Sequence, residues 1–350
     1  MPRVRKRRRI RPAIHYGRWA SLLLSLAVVV WLWREVGGID QTEGFARVVI
    51  PKGSTMRSAA DALTSAHVIA MPRLFRAYAS LSGYARSIKP GAYQFLPHTS
   101  YESVLDAMVN GRGIVHTVAI PEGYDIRDIT PLLVKALDVS ADSVHAAVTD
   151  TAWRRKLNVP APTLEGYLFP ATYSFADGTT AREAVTEMLE RFELEWHSTW
   201  NDRLQAMAIS RHDAMTMAAI VEKEARKPEE RAIIAAVYWN RVKKGMKLQA
   251  DPTVQFALPV HVDRVLFKDL EVDSKYNTYK YAGLPPGPIA SPGAASIVAA
   301  LTPANVPYLY FVAAADGHHE FRRTFEEHER AIAVIKRAKA VAAKAAKTQP

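Results

Sequence analysis

Two glutamates separated by one lysine stand out in the segment AAIVEKEA, residues 218–225. On a helix that advances about 100° per residue, Glu224 falls on the same face as Ile220 and Val221. Glu222 lies beside this apolar stripe. A carboxyl group held against apolar neighbours has its charged form disfavoured, so its pKa rises. Glu224 could then keep a proton near neutral pH, which is what a general acid requires.

A structural role for the same glutamate is the alternative. A buried carboxylate can pair with an arginine, and Arg231 or Arg241 could supply the charge. The segment RKPEE that follows Glu224 breaks the helix, and Pro228 suits the first turn of the next one. From the residues alone, Glu224 is therefore either a catalytic acid or one half of an ion pair, and Glu222 is the fallback for the catalytic role.

Polar residues surround a proline in the segment LQADPTVQFAL, residues 248–258. These polar residues are Gln249, Asp251 and Thr253. Because Asp251 precedes a proline that suits the start of a helix, we also expect it to be the N-cap of that helix. A purely structural role is therefore the default interpretation of Asp251.

A rigid loop is predicted for residues 276–293, YNTYKYAGLPPGPIASPG, which contain four prolines and three glycines. Such a loop suits the fixed wall of a cleft. Tyr276, Asn277 and Tyr279 offer the hydroxyl, amide and aromatic groups that bind sugars. The alternative is a surface loop that only packs against its neighbours.

The sequence contains no motif typical of a metal site or of a catalytic nucleophile. His318, His319 and His328 do not have the spacing of metal ligands on a helix, and HHEF is not the HExxH motif. The sequence contains no G-x-S-x-G motif, no phosphate-binding glycine loop and no cysteine. We therefore expect a site that uses neither a metal nor a cofactor.

Basic residues are concentrated at the N-terminus. Residues 1–18 hold eight Arg or Lys and no acid, so the rest of the chain carries only +3 of the net charge of +11. The next fifteen residues, WASLLLSLAVVVWLW, contain no charge and would span about 22 Å as a helix. Terminal Trp rings and flanking arginines can extend this length across a bilayer. Residues 19–34 are therefore predicted to be a transmembrane anchor.

The same charge pattern predicts the orientation of the anchor. The positive-inside rule places residues 1–18 in the cytoplasm and the chain after Arg34 outside. A cytoplasmic arm that orients an anchor does not need nucleic acid as a partner. A cleavable signal peptide is the alternative, but no small-x-small cleavage site follows the apolar segment.

A weak internal repeat occurs in the part of the chain after the predicted anchor. Residues 50–63 and 120–133 each predict a strand that ends at Pro-x-Gly and is followed by an amphipathic helix. The pattern predicts an α+β fold, in which residues 180–207 form one long helix. The expected parts are a small α+β module over 41–115, a connecting strand and helix over 116–160, a larger mixed α+β domain with a helical core over 161–335, and a basic C-terminal tail over 336–350.

The motifs EGYLFPATYSF, AAIVEKEA, AAVYWNRVKKGMKLQADPTVQFAL, YNTYKYAGLPPGPIASPGAAS and YLYFVAAADGHHEF occur in the order found in YceG-like proteins, and residues 45–335 resemble that family. The small module resembles the family's LysM-like subdomain. The family's catalytic glutamate lies in the EKE motif, and matching residue by residue implies Glu224, with Glu222 as the fallback. The family usually has an acid after LFP, where this chain has Ala171; Glu165 is then the nearest carboxylate.

The resemblance implies a membrane-anchored lytic transglycosylase of the bacterial inner membrane, with its catalytic domain in the periplasm. Such an enzyme cleaves the β-1,4 bond between N-acetylmuramic acid and N-acetylglucosamine inside nascent peptidoglycan strands and leaves 1,6-anhydro ends. The implied substrate-binding residues are Glu165, Gln249, Asp251, Thr253, Tyr276, Asn277 and Tyr279.

The partners implied are peptidoglycan strands and the inner membrane, with peptidoglycan synthases (penicillin-binding proteins) left open. Two other functions also stay open at this point. One is a muramidase-type hydrolase that uses Glu224 together with Glu165 or Asp251. The other is a non-catalytic scaffold that binds the cell wall.

Overall fold

The structure, a computed structural model, describes residues 24–27, 29–31, 36–37, 46–96, 98–111, 113–260, 262, 264–314 and 316–347. The predicted basic arm, most of the predicted anchor over 19–34, and the end of the predicted tail lie outside these residues. Within the described residues, no helix combines the length and the apolar character that a membrane crossing needs.

The chain is a mixed α+β protein, as predicted, in which helices predominate and a few short strands occur between them. The described strands pair as three two-stranded sheets, β1 with β2, β3 with β4 and β5 with β6. The strands are β1 (Ala46–Ile50), β2 (Gly91–Phe95), β3 (Val115–Ala119), β4 (Thr172–Ala176), β5 (Tyr310–Ala313) and β6 (His319–Arg322). The helices are α1 (Met56–Ser65), α2 (Pro72–Leu81), α3 (Tyr101–Asn110), α4 (Ile126–Leu137), α5 (Ala141–Val148), α6 (Thr151–Lys156), α7 (Ala181–Glu195), α8 (Ser198–Met207), α9 (Arg211–Glu224), α10 (Arg231–Lys243), α11 (Asp251–Ala257), α12 (Ala294–Leu301) and α13 (Phe325–Lys347), with 3₁₀ turns at Pro228–Glu230 and Phe267–Glu271.

The chain divides into two compact units, of which the first comprises residues 1–115 and 176–178. In this unit β1 and β2 are antiparallel, with Val48 opposite Tyr93. Apolar side chains of these strands form a core with those of α1, α2 and α3. The Ser100 side chain caps α3, and a left-handed residue at its C-terminal end closes the helix, as predicted from SYESVLDAMVNGR.

The second unit, residues 116–175 and 179–350, has α9 at its centre. Ser210 and Asp213 form a capping box at the start of this helix. Every residue from Ala214 to Val221 is buried, because α10 and α12 pack against α9. The helix is therefore enclosed on all sides over this length, rather than along one stripe, and it ends at Glu224.

The prediction of one long helix over residues 180–207 is wrong. The chain forms α7 and α8, because Trp196 leaves the helical conformation with ψ 97°. Its indole N–H donates to Asn201 Oδ1 at 2.8 Å, and its ring contacts the Trp200 ring edge-on at a centroid distance of 5.1 Å. The apolar periodicity continues through the bend, because these aromatic rings pack against each other across it.

Candidate active site

A cavity of about 300 Å³ opens where α9 ends. This volume corresponds to about ten water-sized groups, which is comparable with one sugar ring. The walls come from α9, α10, α11, β5, α13 and the loops that flank α11. The lining residues are Glu224, Tyr238, Arg241, Leu248, Gln249, Asp251, Tyr279, Phe311 and His328.

The Glu224 carboxyl group faces this cavity and accepts a hydrogen bond from Tyr238 Oη at 2.9 Å. Burial raises the pKa of Glu224 to about 7, and the nearby Asp251 carboxylate acts in the same direction. The Tyr238 hydrogen bond and the charges of Arg226 and Arg241 oppose this shift of the pKa. Glu224 is also the last residue of α9, and the C-terminal end of a helix disfavours a negative charge. A large fraction of the carboxyl groups therefore remains protonated near neutral pH.

Arg241 lines the cavity, but its guanidinium binds backbone carbonyls rather than the Glu224 carboxylate. Its Nε donates to Leu309 O and its Nη1 donates to Leu248 O, both at 2.7 Å. The same Nη1 donates a longer bond of 3.4 Å to Gln249 Oε1. Arg241 thus joins α10 to the segments before β5 and α11, which places these segments around the cavity.

Glu222 faces a different cavity, of about 370 Å³, together with Glu122 and Asp128. Its Oε2 accepts a hydrogen bond from the backbone N–H of Gly293 at 3.1 Å, and its Oε1 lies 3.9 Å from Arg231 Nη2. The structural alternative of a glutamate beside an arginine therefore describes Glu222 and not Glu224.

Three of the predicted substrate-binding residues, Gln249, Asp251 and Tyr279, line the cavity with Glu224. Asp251 is the first residue of α11 and not its N-cap, so that prediction is wrong. The physical reason is that Asp251 Oδ1 accepts a hydrogen bond from Tyr279 Oη at 2.5 Å instead of bonding to the start of the helix. Gln249 has a left-handed backbone with φ 53°, which a non-glycine residue adopts at a cost.

Thr253 and Asn277 do not line this cavity, because their polar groups are used inside the fold. Thr253 Oγ1 donates to Ala250 O at 2.7 Å. Asn277 Nδ2 donates to Leu270 O and to Val272 O, both at 2.8 Å. These two side chains fix the loops from which Gln249 and Tyr279 reach the cavity.

Glu165 and Tyr276 also lie away from the walls of this cavity. Glu165 is buried, and its two oxygens accept hydrogen bonds from the backbone N–H groups of Ile126 and Gly166, both at 3.1 Å. Burial raises the pKa of Glu165 to about 8, although these hydrogen bonds oppose the shift. The Tyr276 ring packs on Phe256 at a centroid distance of 4.8 Å.

Five cavity residues, Tyr238, Arg241, Leu248, Phe311 and His328, were not predicted as site residues, although Arg241 was considered as an ion-pair partner of Glu224. One pattern could have indicated Tyr238, because it lies three residues before Arg241 on a predicted helix and therefore shares a face with it. Nothing in the sequence pattern connects Phe311 or His328 with residue 224. Within the part of the chain that the structure describes, no cluster of three or more His, Asp or Glu could hold a metal ion.

The fold and the cavity together define a class of protein: a mixed α+β protein in which a carboxyl group of raised pKa faces a cavity large enough for a sugar. The chain belongs to the YceG-like family, whose profile matches residues 48–334.

Named relatives agree with this assignment. An endolytic murein transglycosylase of Bacillus subtilis (strain 168) is 35% identical over 298 residues, which cover 81% of this chain and 82% of the relative. An endolytic murein transglycosylase of Streptococcus pneumoniae (serotype 2, strain D39) is 28% identical and covers 83% of this chain and 58% of the relative. The crystal structure of a YceG-like protein from Listeria monocytogenes is 34% identical, has a TM-score of 0.57 and covers 83% of this chain and 99% of that one.

Proposed function

We propose that the protein is an endolytic lytic transglycosylase that cleaves the β-1,4 bond between N-acetylmuramic acid and N-acetylglucosamine inside nascent glycan strands. The observation that carries this proposal is the Glu224 carboxyl group, which faces a sugar-sized cavity and has its pKa raised to about 7. The two relatives named as endolytic murein transglycosylases support it. Cleavage of this kind would limit the elongation of glycan strands.

The proposed reaction needs only one titrating group. Protonated Glu224 donates its proton to the glycosidic oxygen, the bond from C1 to that oxygen breaks, and positive charge develops at C1 of the muramic acid. The Glu224 carboxylate then takes the proton from the C6 hydroxyl of the same sugar. The C6 oxygen bonds to C1 and closes a 1,6-anhydro ring, so no water is consumed.

The neighbours of Glu224 have supporting roles in this reaction. Asp251 and Gln249 line the cavity with Glu224, where their polar side chains would contact the sugar and stabilise charge that develops at C1. Tyr279 holds the Asp251 carboxylate through its hydroxyl group. Tyr238 orients the Glu224 carboxyl group and lowers its pKa from the value that burial alone would give.

The location of the enzyme is a further part of the proposal. Residues 19–34 would anchor the chain in the bacterial inner membrane, with residues 1–18 in the cytoplasm and the catalytic unit in the periplasm. The supporting observation is the run of fifteen uncharged residues that follows eight cations. The module over residues 41–115 would be the LysM-like subdomain, and peptidoglycan synthases would be partners at the membrane.

The products of peptidoglycan digestion test the reaction. We expect purified sacculi, incubated with the protein, to release fragments whose muramic acid ends have lost one water relative to a free reducing end, as mass spectrometry would measure. Free reducing ends would instead indicate a hydrolase. Hydrolases of this kind use a second carboxylate, and the presence of Asp251 in the same cavity makes this the second candidate function.

A change at Tyr238 tests the protonation state that the mechanism needs. For the wild type we expect kcat/KM to fall as pH rises through about 7, because Glu224 loses its proton there. Tyr238→Phe removes the hydroxyl group that stabilises the ionised carboxylate, so the pKa of Glu224 rises. The falling limb of the pH profile should then move to higher pH by about one pH unit.

Tyr281→Phe is the matched control, because Tyr281 also donates to a carboxylate, Asp273 Oδ1, at 2.9 Å but outside the cavity. We expect this variant to keep the pH profile of the wild type. A falling limb that stays in place in Tyr238→Phe, or moves to lower pH, would contradict the proposed role of Tyr238.

A further inference from the structure

The His328 side chain lies in the wall of the Glu224 cavity. It extends from the first turn of α13, and its ring stacks on the Tyr310 ring at a centroid distance of 5.4 Å and an interplanar angle of 25°. The Phe325 ring is tilted against the His328 ring, with a centroid distance of 6.5 Å and an interplanar angle of 47°. These two aromatic neighbours hold the plane of the imidazole beside the cavity.

The Nδ1 atom of His328 is buried and lacks a hydrogen-bond partner among the described residues. An unpartnered buried polar atom lowers stability unless something else satisfies it. The other such side-chain atoms in the described part of the chain belong to Arg154, Arg211 and Ser291, and none of these residues lines this cavity. Among the described residues that line this cavity, Nδ1 of His328 is therefore the buried side-chain atom that lacks a hydrogen bond.

The charges around His328 favour its neutral form. Burial lowers its pKa, and the positive charge of Arg241 acts in the same direction, whereas Glu329 on the same helix opposes it. The ionisable residues that line the cavity from other elements are Glu224, Tyr238, Arg241, Asp251 and Tyr279. A neutral imidazole has one donor and one acceptor nitrogen. It also adds no positive charge next to a sugar carbon at which positive charge develops.

We propose that His328 is a substrate-binding residue, whose unpartnered ring nitrogen forms a hydrogen bond with a hydroxyl or acetamido group of the aminosugar in the cavity. The identity of this ligand rests on the proposed function. Rotation of the ring by 180° about its Cβ–Cγ bond exchanges the position of Nδ1 with that of a carbon and preserves the stacking on Tyr310. Because Nδ1 is buried in the observed orientation, its hydrogen bond with the sugar requires this rotation of the ring.

Two substitutions separate hydrogen bonding from packing. His328→Phe keeps an aromatic ring on Tyr310 but removes both nitrogens, whereas His328→Gln keeps polar atoms and removes the ring. We expect His328→Phe to reduce kcat/KM at least tenfold, mainly through a higher KM, and His328→Gln to stay within about threefold of the wild type. His145→Phe, at an exposed histidine on α5 outside this cavity, is the control and should match the wild type.

A binding measurement makes the test independent of turnover. In the Glu224→Gln background, purified glycan fragments of alternating N-acetylglucosamine and N-acetylmuramic acid are titrated by calorimetry with and without His328→Phe. We expect the additional substitution to raise Kd at least tenfold. Thermal unfolding of each variant confirms that the fold is retained.

The outcomes separate this inference from the proposed function. If the wild type cleaves glycan and His328→Phe cleaves and binds it equally well, or if His328→Gln is the variant that loses binding, the ring only packs and the inference fails. If glycan binds in a manner that depends on His328 but the wild type yields no 1,6-anhydro ends, the inference holds and the proposed reaction fails. If no glycan binds and none is cleaved, both fail.

Discussion

Glu224→Gln is expected to reduce the release of 1,6-anhydro products by about 10³-fold, because the reaction then lacks both its acid and its base. The amide has nearly the same size as the carboxyl group and can still accept the hydrogen bond from Tyr238 Oη. It cannot donate a proton to the glycosidic oxygen or take one from the C6 hydroxyl. Digestion of sacculi followed by mass spectrometry measures the loss, and circular dichroism and thermal unfolding confirm that the protein is folded.

Glu222→Gln is the matched control, since it removes the other carboxylate of the EKE motif two residues away. Glu222 faces the cavity with Glu122 and bonds to the Gly293 backbone, so we expect its substitution to retain activity within about tenfold. If Glu222→Gln lost activity and Glu224→Gln retained it, the assignment of the acid would have to be reversed. If Glu224→Gln functioned normally in cells, the protein would act as a non-catalytic scaffold.

Helical spacing favoured Glu224 over Glu222 because it placed Glu224 on an apolar stripe. The structure distinguishes the two glutamates for a different reason. The sequence predicted an apolar stripe, whereas α9 is enclosed on all sides from Ala214 to Val221. What distinguishes Glu224 is that it ends the helix at an open cavity, while Glu222 turns toward Gly293 and Arg231. Spacing gives the direction of a side chain around its helix, but the cavity is formed by elements far away in the chain.

The same limit applies to the predicted substrate-binding residues. Asp251 and Tyr279 reach the cavity and bond to each other, but Thr253 and Asn277 use their polar groups on backbone carbonyls. A polar residue in a turn-rich segment has the same sequence pattern in both cases. Which of the two occurs depends on the distant segment that it meets, and in this protein the decisive contacts join residues near 250 to residues near 278.

Gly166→Ala is expected to reduce the free energy of unfolding by about 2–5 kcal/mol, the largest effect on stability that we predict from one methyl group. Gly166 has φ 80°, in the left-handed region, which costs an alanine about 1–2 kcal/mol. A Cβ at this position would also overlap the Cβ of Pro288 and lie 2.7 Å from its Cγ. Such overpacking costs about 1–3 kcal/mol more, since the ring of a proline has few ways to move aside. Urea unfolding followed by circular dichroism measures the loss.

Gly283→Ala separates the two causes, because Gly283 has nearly the same φ, 85°, but no heavy atom lies within 4 Å of its added Cβ. We expect this control to lose only about 1–2 kcal/mol. Equal destabilisation of the two variants would mean that contact with Pro288 contributes nothing. Pro288 and Tyr279 belong to the same proline-rich loop, and Tyr279 holds Asp251 in the cavity. The difference between the two variants therefore measures how firmly the turn at Gly166 supports the loop that forms one wall of the site.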